Sequence, residues 1–243
     1  IFQSEEQRNT EEIKPVSISE LKPFTEQPFK VKLDEDMDAL VESIKQCGVL
    51  TPVIARPHKD GGYEILSGHR RVKACELAGI TDIPVVVKNL DDDTATILLV
   101  DSNLQREHIL PSEKAFAYQM KLEAMKRKAG RPSKENSCQI GTDLVGIRSD
   151  ELLSENTNDS ARNIQRYIRL TNLIDPILDM VDNNQIAMNA AVEISYLGSK
   201  EQAAVMQSIE KEETSPSIAQ ARKKPKFNQD GNLSKADIDS NIM

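Results

Sequence analysis

From Pro111 onward the sequence carries no strand signal, whereas residues 16–87 alternate short β-prone pieces with helical ones. A chain patterned this way is expected to fold as an α/β module followed by an all-α domain. Residues 34–47 place Met37, Leu40, Val41 and Ile44 at the i, i+3, i+4, i+7 spacing of a buried helical stripe, with acids in the first turn and Gly48 past the end. Residues 52–56 and 63–66 flank the turn Lys59-Asp60-Gly61-Gly62 and read as a hairpin. Ser67-Gly68 opens a helix that runs to Ala78 and stops at Gly79, residues 83–87 form a strand, and Asp91-Asp92-Asp93 caps a helix reaching towards Gln105. Pro111-Ser112-Glu113 then starts a helix to about Lys128, with Phe116, Met120, Leu122 and Met125 as its apolar positions, broken by the stretch Gly130-Arg131-Pro132-Ser133.

Length and charge narrow the function. A chain of 243 residues has room for one large or two modest domains, and no run approaches the ~18 apolar residues of a membrane span. The polar start, residues 1–12, is neither a signal nor a transit peptide, and opening on Ile1 rather than Met implies that residues precede it. Cys47, Cys75 and Cys138 are scattered and unpaired in pattern, with three His in all, so a disulfide framework or a zinc site is not expected and a reducing cytoplasm fits. The net charge of −8 is segregated: residues 1–50 carry 11 acids against 6 Lys/Arg, while Arg162, Arg166 and Arg169 lie in a stretch without an acid. Lys126, Arg127 and Lys128, and the run at 222–226, are basic as well. Local basic faces of this kind can hold phosphates despite an acidic total.

Two stretches carry chemistry. In Glu64-Ile65-Leu66-Ser67-Gly68-His69-Arg70-Arg71 a strand feeds a helix through Gly. Such a turn lets backbone approach a ligand, and the helix N-terminus with guanidinium forks suits phosphate. Asn103 and Arg106 sit one helical turn apart at the end of the 91–105 helix. On residues alone, a surface helix start with solvated arginines and a polar helix end account for these stretches equally well. Further on, residues 148–157 and 160–171 read as two short helices joined by Asn158-Asp159, a helix-turn-helix layout. Asn158 would take the left-handed turn, and Asp159 or Ser160 would cap the second helix. Ala161, Ile164 and Ile168 mark its inward face, which leaves Arg162, Asn163, Gln165, Arg166 and Arg169 outward or at the flanks. Arg, Asn and Gln are the residues that read guanine and adenine edges. A plain helical hairpin is the alternative.

Three segments in order resemble the N-terminal boxes of ParB partition proteins: residues 23–31 with the following "SIKQCGVLTPVIAR", then "SGHRRVKACELAG", then "SNLQRE". The later "SENTNDSARNIQRYIRLTNLI" is similar to the family's helix-turn-helix. The resemblance spans about residues 15–222. It implies a ParB/sulfiredoxin-like α/β module (15–108) that binds CTP with Mg2+ (magnesium) as a switch closing a dimer into a clamp around DNA, after an acidic tail (1–14). A helix-turn-helix DNA-binding domain (109–221) and a polar tail (222–243) would follow. By position, Gly68, His69, Arg70 and Arg71 would line the nucleotide, with Arg106 near the triphosphate and Asn103 near the metal. Ser160, Arg162, Asn163 and Arg166 would meet bases, with Arg169, Lys126, Arg127 and Lys128 on phosphates. His69 stands where the family has Glu, and Ser102 where it has the Glu before Asn; a carboxylate is the better magnesium ligand. Any hydrolysis is therefore expected to be a slow switch at most, with no catalytic residue assigned.

The partners implied are double-stranded DNA bearing a centromere-like palindrome, a second copy in a homodimer, and a partition ATPase; no membrane is expected, and the site of action is cytoplasmic, at the nucleoid. The family's C-terminal dimerisation domain has no counterpart before Met243. Either the full-length protein continues, or dimerisation depends on the N-terminal module. Two other classes stay open: a transcriptional regulator of a mobile element, and a sulfiredoxin- or kinase-like phosphotransferase.

Overall fold

Local capping signals place the helices of the first half. In the computed structural model, which describes residues 13–25, 27–106, 108–130, 153, 154, 157 and 159–212, Asp34 caps helix α1 (Glu35–Cys47) by accepting from the Met37 amide at 3.0 Å. Glu35, Asp36 and Asp38 in the first turn complement the helix dipole. Met37, Val41 and Ile44 are buried, and Leu40 is half-buried beside them.

The chain divides into two units: residues 1–106 with 123–132, and residues 107–122 with 133–243. The first is built on a five-stranded mixed sheet of order β1-β5-β3-β4-β2. Its strands are β1 (Ile13–Ser17), β2 (Leu21–Lys22), β3 (Val53–Pro57), β4 (Tyr63–Ser67) and β5 (Asp82–Val87). β1 starts at Ile13, inside the stretch that the pattern leaves as tail. The expected hairpin is β3–β4, paired antiparallel, with Gly61 and Gly62 at φ +82° and +75° in its turn. Register slips between Ile54 and Ala55, so that Ile54 faces Ser67 while Ala55 faces Ile65. A bulge of this kind re-aims the end of a strand, and here it falls where β4 gives way to Gly68.

From that point helix α2 (His69–Ala78) carries the chain over to β5, which lies parallel to β3 and antiparallel to β1. Helix α3 (Asp92–Leu104) follows, with the Asp91 carboxylate accepting from the Thr94 amide at 2.9 Å and the Thr94 hydroxyl at 2.7 Å. The core under the sheet gathers Val16, Met37, Val53, Ile65, Val72 and Ile83 with Ala55, Cys75 and Val85.

Every element described in the second unit is helical. Helix α4 (Pro111–Gly130) gives residues 111–122 to this unit and 123–130 to the first. Ala115, Ala117, Tyr118, Lys121 and Ala124 are buried. Phe116, expected as an inward position, is exposed, while Met120, Leu122 and Met125 are half-buried.

Helices α5 (Ala161–Leu170), α6 (Asp175–Asp182), α7 (Met188–Ile194) and α8 (Ser199–Glu212) close around Leu170, Ile177, Val181, Ile186, Ile194 and Val205. Gln202 is buried at their centre with its amide satisfied. Its oxygen accepts from the Ile174 amide at 2.9 Å, and its nitrogen donates to the Asn172 and Leu197 carbonyls, both at 3.0 Å. Leu153, fully buried, and Ser154 are helical. The rest of the expected first helix-turn-helix helix (148–152, 155, 156) and the turn residue Asn158 lie outside the described residues, as do the break after Gly130 at 131–133, Cys138, the tail 1–12 and the basic run 222–226.

Candidate functional site

The end of β4, the start of α2 and the end of α3 converge on a cavity of about 170 Å³. Gly68 caps α2 at φ +105°, ψ 20°, a conformation open to glycine and costly for any other residue. An added Cβ there would lie 3.0 Å from Val53 Cγ2 and 3.1 Å from Arg71 Nη2. The turn is therefore tight as well as left-handed, and it brings the backbone against the cavity. Gly68, His69, Arg70, Arg71, Asn103 and Arg106, the residues singled out in the sequence, all line it.

Among the described residues, the wall holds three guanidinium groups and no Asp or Glu. Arg71 turns inward, its Nη1 donating to the Thr51 and Pro52 carbonyls, the latter at 2.6 Å. Burial lowers the pKa of that guanidinium, with a smaller opposing influence from Cys75. Arg70 reaches Asp34 at 3.3 Å. His69 is pushed down to about 4 by burial and then by the Arg106 charge, so its imidazole is neutral at pH 7.

Among the described residues, three buried polar atoms have no hydrogen-bond partner: Gln27 Oε1, His69 Nε2 and Arg70 Nε. All three belong to residues that line this one cavity. Unsatisfied buried groups are uncommon and costly; Arg70 Nε calls for an anionic oxygen and Gln27 Oε1 for an N–H or O–H donor, so a ligand carrying both would satisfy them.

The cavity suits phosphate better than a metal held by the protein. Among the described residues no cluster of three His, Cys, Asp or Glu could hold an ion. Ser102 Oγ and Asn103 Nδ2 each donate to the Leu99 carbonyl at 2.9 Å. A hard dication wants several oxygen ligands, carboxylates above all. Asn103 offers an amide oxygen and Ser102 a hydroxyl, so a dication beside them would take most of its oxygens from a ligand's phosphates and water.

Gln27, Phe29 and Val31 form a side of the cavity that the reading from sequence did not assign. The only signal for them was their place in the first ParB-like box. The family model for the ParB N-terminal domain matches residues 2–104, the stretch that contains this cavity wall almost entirely. Residues 2–104 belong to the ParB N-terminal domain family. A probable chromosome-partitioning protein ParB of Neisseria meningitidis is 31% identical over 176 residues, 72% of this chain and 54% of that protein. The chromosome-partitioning protein Spo0J of Thermus thermophilus is 41% identical over 106 residues, 44% of this chain and 39% of that protein. The ParB-like chain thus spans about half the length, or less, of these curated relatives. The crystal structure of the C-terminally truncated chromosome-partitioning protein ParB from Caulobacter crescentus complexed to the centromeric parS site shares the fold. It does so at TM-score 0.52 and 21% identity, over 88% of this chain and 98% of that one.

Helix α5 carries the other candidate residues of this ParB-like chain. Ser160 serves as its N-cap, the hydroxyl accepting from the Asn163 amide at 3.4 Å. The preceding Asp159 accepts from Tyr118 Oη at 2.6 Å and from Lys114 Nζ at 2.9 Å, which anchors the start of the helix. Burial, and then the bond to Asp159, push the Tyr118 phenol up. Ile164 and Leu170 are buried, and Ala161 and Ile168 are half-buried beside them. Arg162 and Gln165 are exposed, Asn163 and Arg166 half-buried. Arg169 is held sideways, its guanidinium 4.1 Å from the Tyr196 ring and donating to Ser195 Oγ and O at 3.2 and 3.1 Å. On α4, Lys126 is exposed, Arg127 pairs with Asp93 at 2.6 Å, and Lys128 donates to Thr94 Oγ1 at 2.9 Å. Among the described residues no helix is long and apolar enough to cross a membrane.

Proposed function

We propose that this chain is a DNA-binding partition protein whose first unit binds a nucleoside triphosphate, CTP by family resemblance, as a switch, and whose helix α5 reads a centromere-like site. The observation that carries the nucleotide half is the coincidence of Gln27 Oε1, His69 Nε2 and Arg70 Nε, all unsatisfied, in one cavity walled by Arg70, Arg71 and Arg106. Phosphate oxygens would accept from the guanidinium groups and from the amides at the start of α2. Gly68 would let the backbone come close enough for that contact.

Support for the DNA half comes from family membership and from the character of α5, which has an apolar inner face and a capped start. Arg162 and Asn163 are in its first turn, the part of a recognition helix that meets base edges, and Arg166 is one turn further on. Arg169, Lys126, Arg127 and Lys128 would serve phosphates. For Arg127 and Lys128 this means exchanging Asp93 and Thr94 for DNA. A second copy of the chain would supply the other half-site, and a partition ATPase would be the protein partner. With His69 in place of the family's Glu, the nucleotide would be bound and turned over slowly or not at all.

Calorimetric titration of CTP and ATP into the protein, with magnesium and cognate DNA, tests the first half. The expected result is CTP binding, preferred over ATP, and abolished by Arg70→Ala. Absence of CTP binding under these conditions would overturn it.

A further inference from the structure

We propose that His69 takes up a proton when a phosphate-bearing ligand enters the cavity, so that the site binds nucleotide more tightly as pH falls. This rests on the nucleotide reading above and adds a proton to it. His69 is the first residue of α2, directly after the left-handed Gly68, and its buried Nε2 lines the cavity without a partner.

The groups around it are cationic or neutral. Arg106, just past α3, and Arg70 and Arg71 on α2 itself share the cavity wall. The segment before α1 contributes Gln27, Phe29 and Val31 to the wall and leaves Lys30 exposed. Asp34, at the start of α1, pairs with Arg70 and accepts from the Met37 amide. Among the described residues, no carboxylate lines the wall to stabilise an imidazolium.

That explains why burial and Arg106 hold His69 at about 4, against an ordinary 6.5. A triphosphate brings several negative charges into the same space. It neutralises the arginines' influence and offers oxygens that accept from a protonated Nε2. The neutral ring can present either an N–H or a lone pair at Nε2, and only the cation adds charge attraction to the hydrogen bond. The proton comes from solvent and is released with the ligand.

The size of the effect follows from linkage. If the ligand does no more than return His69 to its ordinary 6.5, affinity at pH 6.0 exceeds that at pH 7.5 by about fourfold. The nucleotide's own phosphate titrates in the same range and works against this. It does so equally for a variant that lacks the imidazole, so the comparison that matters is wild type against His69→Gln. The amide can still hydrogen-bond but cannot accept the proton.

CTP affinity is measured by calorimetry at pH 6.0, 6.75 and 7.5 for both proteins. The imidazole nitrogen shifts of His69 are followed by NMR in the wild type, free and saturated with CTP. With three histidines in the chain, the resonance missing from His69→Gln assigns the signal. The expected outcome is a wild-type affinity that gains about fourfold on the variant between pH 7.5 and 6.0, and a His69 titration midpoint that rises on CTP binding. If CTP binds while the His69 midpoint stays near its free value, the proton-uptake proposal fails and the nucleotide reading stands. If CTP does not bind at any pH, both fail. The NMR arm keeps the proposal open to refutation even if His69→Gln is too unstable to titrate.

Discussion

Gly68→Ala is the substitution for which the structure gives the clearest magnitude, because a second glycine in the same unit supplies its control. Gly68 and Gly79 bracket α2, at φ +105° and +74°. For an L-residue the left-handed region costs about 1–2 kcal/mol, so both substitutions pay that strain. Their surroundings differ. A Cβ on Gly79 meets nothing within 4 Å, whereas one on Gly68 meets Val53 Cγ2 at 3.0 Å and the Arg71 guanidinium at 3.1–3.2 Å. Arg71 is not free to step aside, since its Nη1 is bonded to the Thr51 and Pro52 carbonyls. Crowding of this sort in a packed site adds about 1–3 kcal/mol. Gly79→Ala should therefore destabilise the first unit by about 1–2 kcal/mol, and Gly68→Ala by about 2–5 kcal/mol. The assay is urea unfolding followed by far-UV circular dichroism, since the chain has no Trp to report by fluorescence. The two variants are compared in the transition of the first unit, because two units need not unfold together. If Gly68→Ala is no more destabilising than Gly79→Ala, the close approach of Arg71 and Val53 is not what the turn requires, and the reasoning fails.

Arg162→Ala and Arg166→Ala should each weaken binding to the cognate site by ~1–3 kcal/mol, with much smaller losses on random duplex. Equal losses in a mobility-shift titration on both duplexes would make them phosphate contacts. Stability without nucleotide should rise with pH between about 4 and 6.5, because the unfolded chain protonates His69 at an ordinary 6.5 while the folded one resists until about 4. The contribution is complete at pH 7 and is lost on acidification through that window, by up to roughly 3 kcal/mol. Thermal unfolding of His69→Gln should show the shallower dependence, and identical profiles would remove His69 as the cause. If CTP closes two copies around DNA, the protein should stay on a closed circular cognate plasmid in high salt with CTP and leave once the plasmid is linearised. Phosphate contacts alone weaken steeply with salt, so CTP-independent release from both forms would favour the regulator reading.

The sequence by itself determined the elements and their polarity. Asp34, Asp91 and Ser160 cap the helices they precede, Gly48 and Gly79 end α1 and α2, and Gly61-Gly62 turns the hairpin. These signals act within three or four residues, so they are readable from a single stretch of chain. The family boxes named six residues of the cavity wall because motif spacing preserves which residues meet across the start of α2 and the end of α3.

Only the tertiary structure decided what those side chains touch. It put Gln27, Phe29 and Val31 opposite Gly68, turned part of Arg71 towards two backbone carbonyls, and paired Arg127 with Asp93. It also turned Phe116 outward and buried Tyr118 and Lys121. The sheet order β1-β5-β3-β4-β2 was likewise outside the reach of local pattern. Each of these outcomes depends on residues tens of positions apart. Hydrophobic periodicity states that a face is buried, but not against what, and a charge in sequence does not say whether its partner will be a phosphate, a carbonyl or a carboxylate.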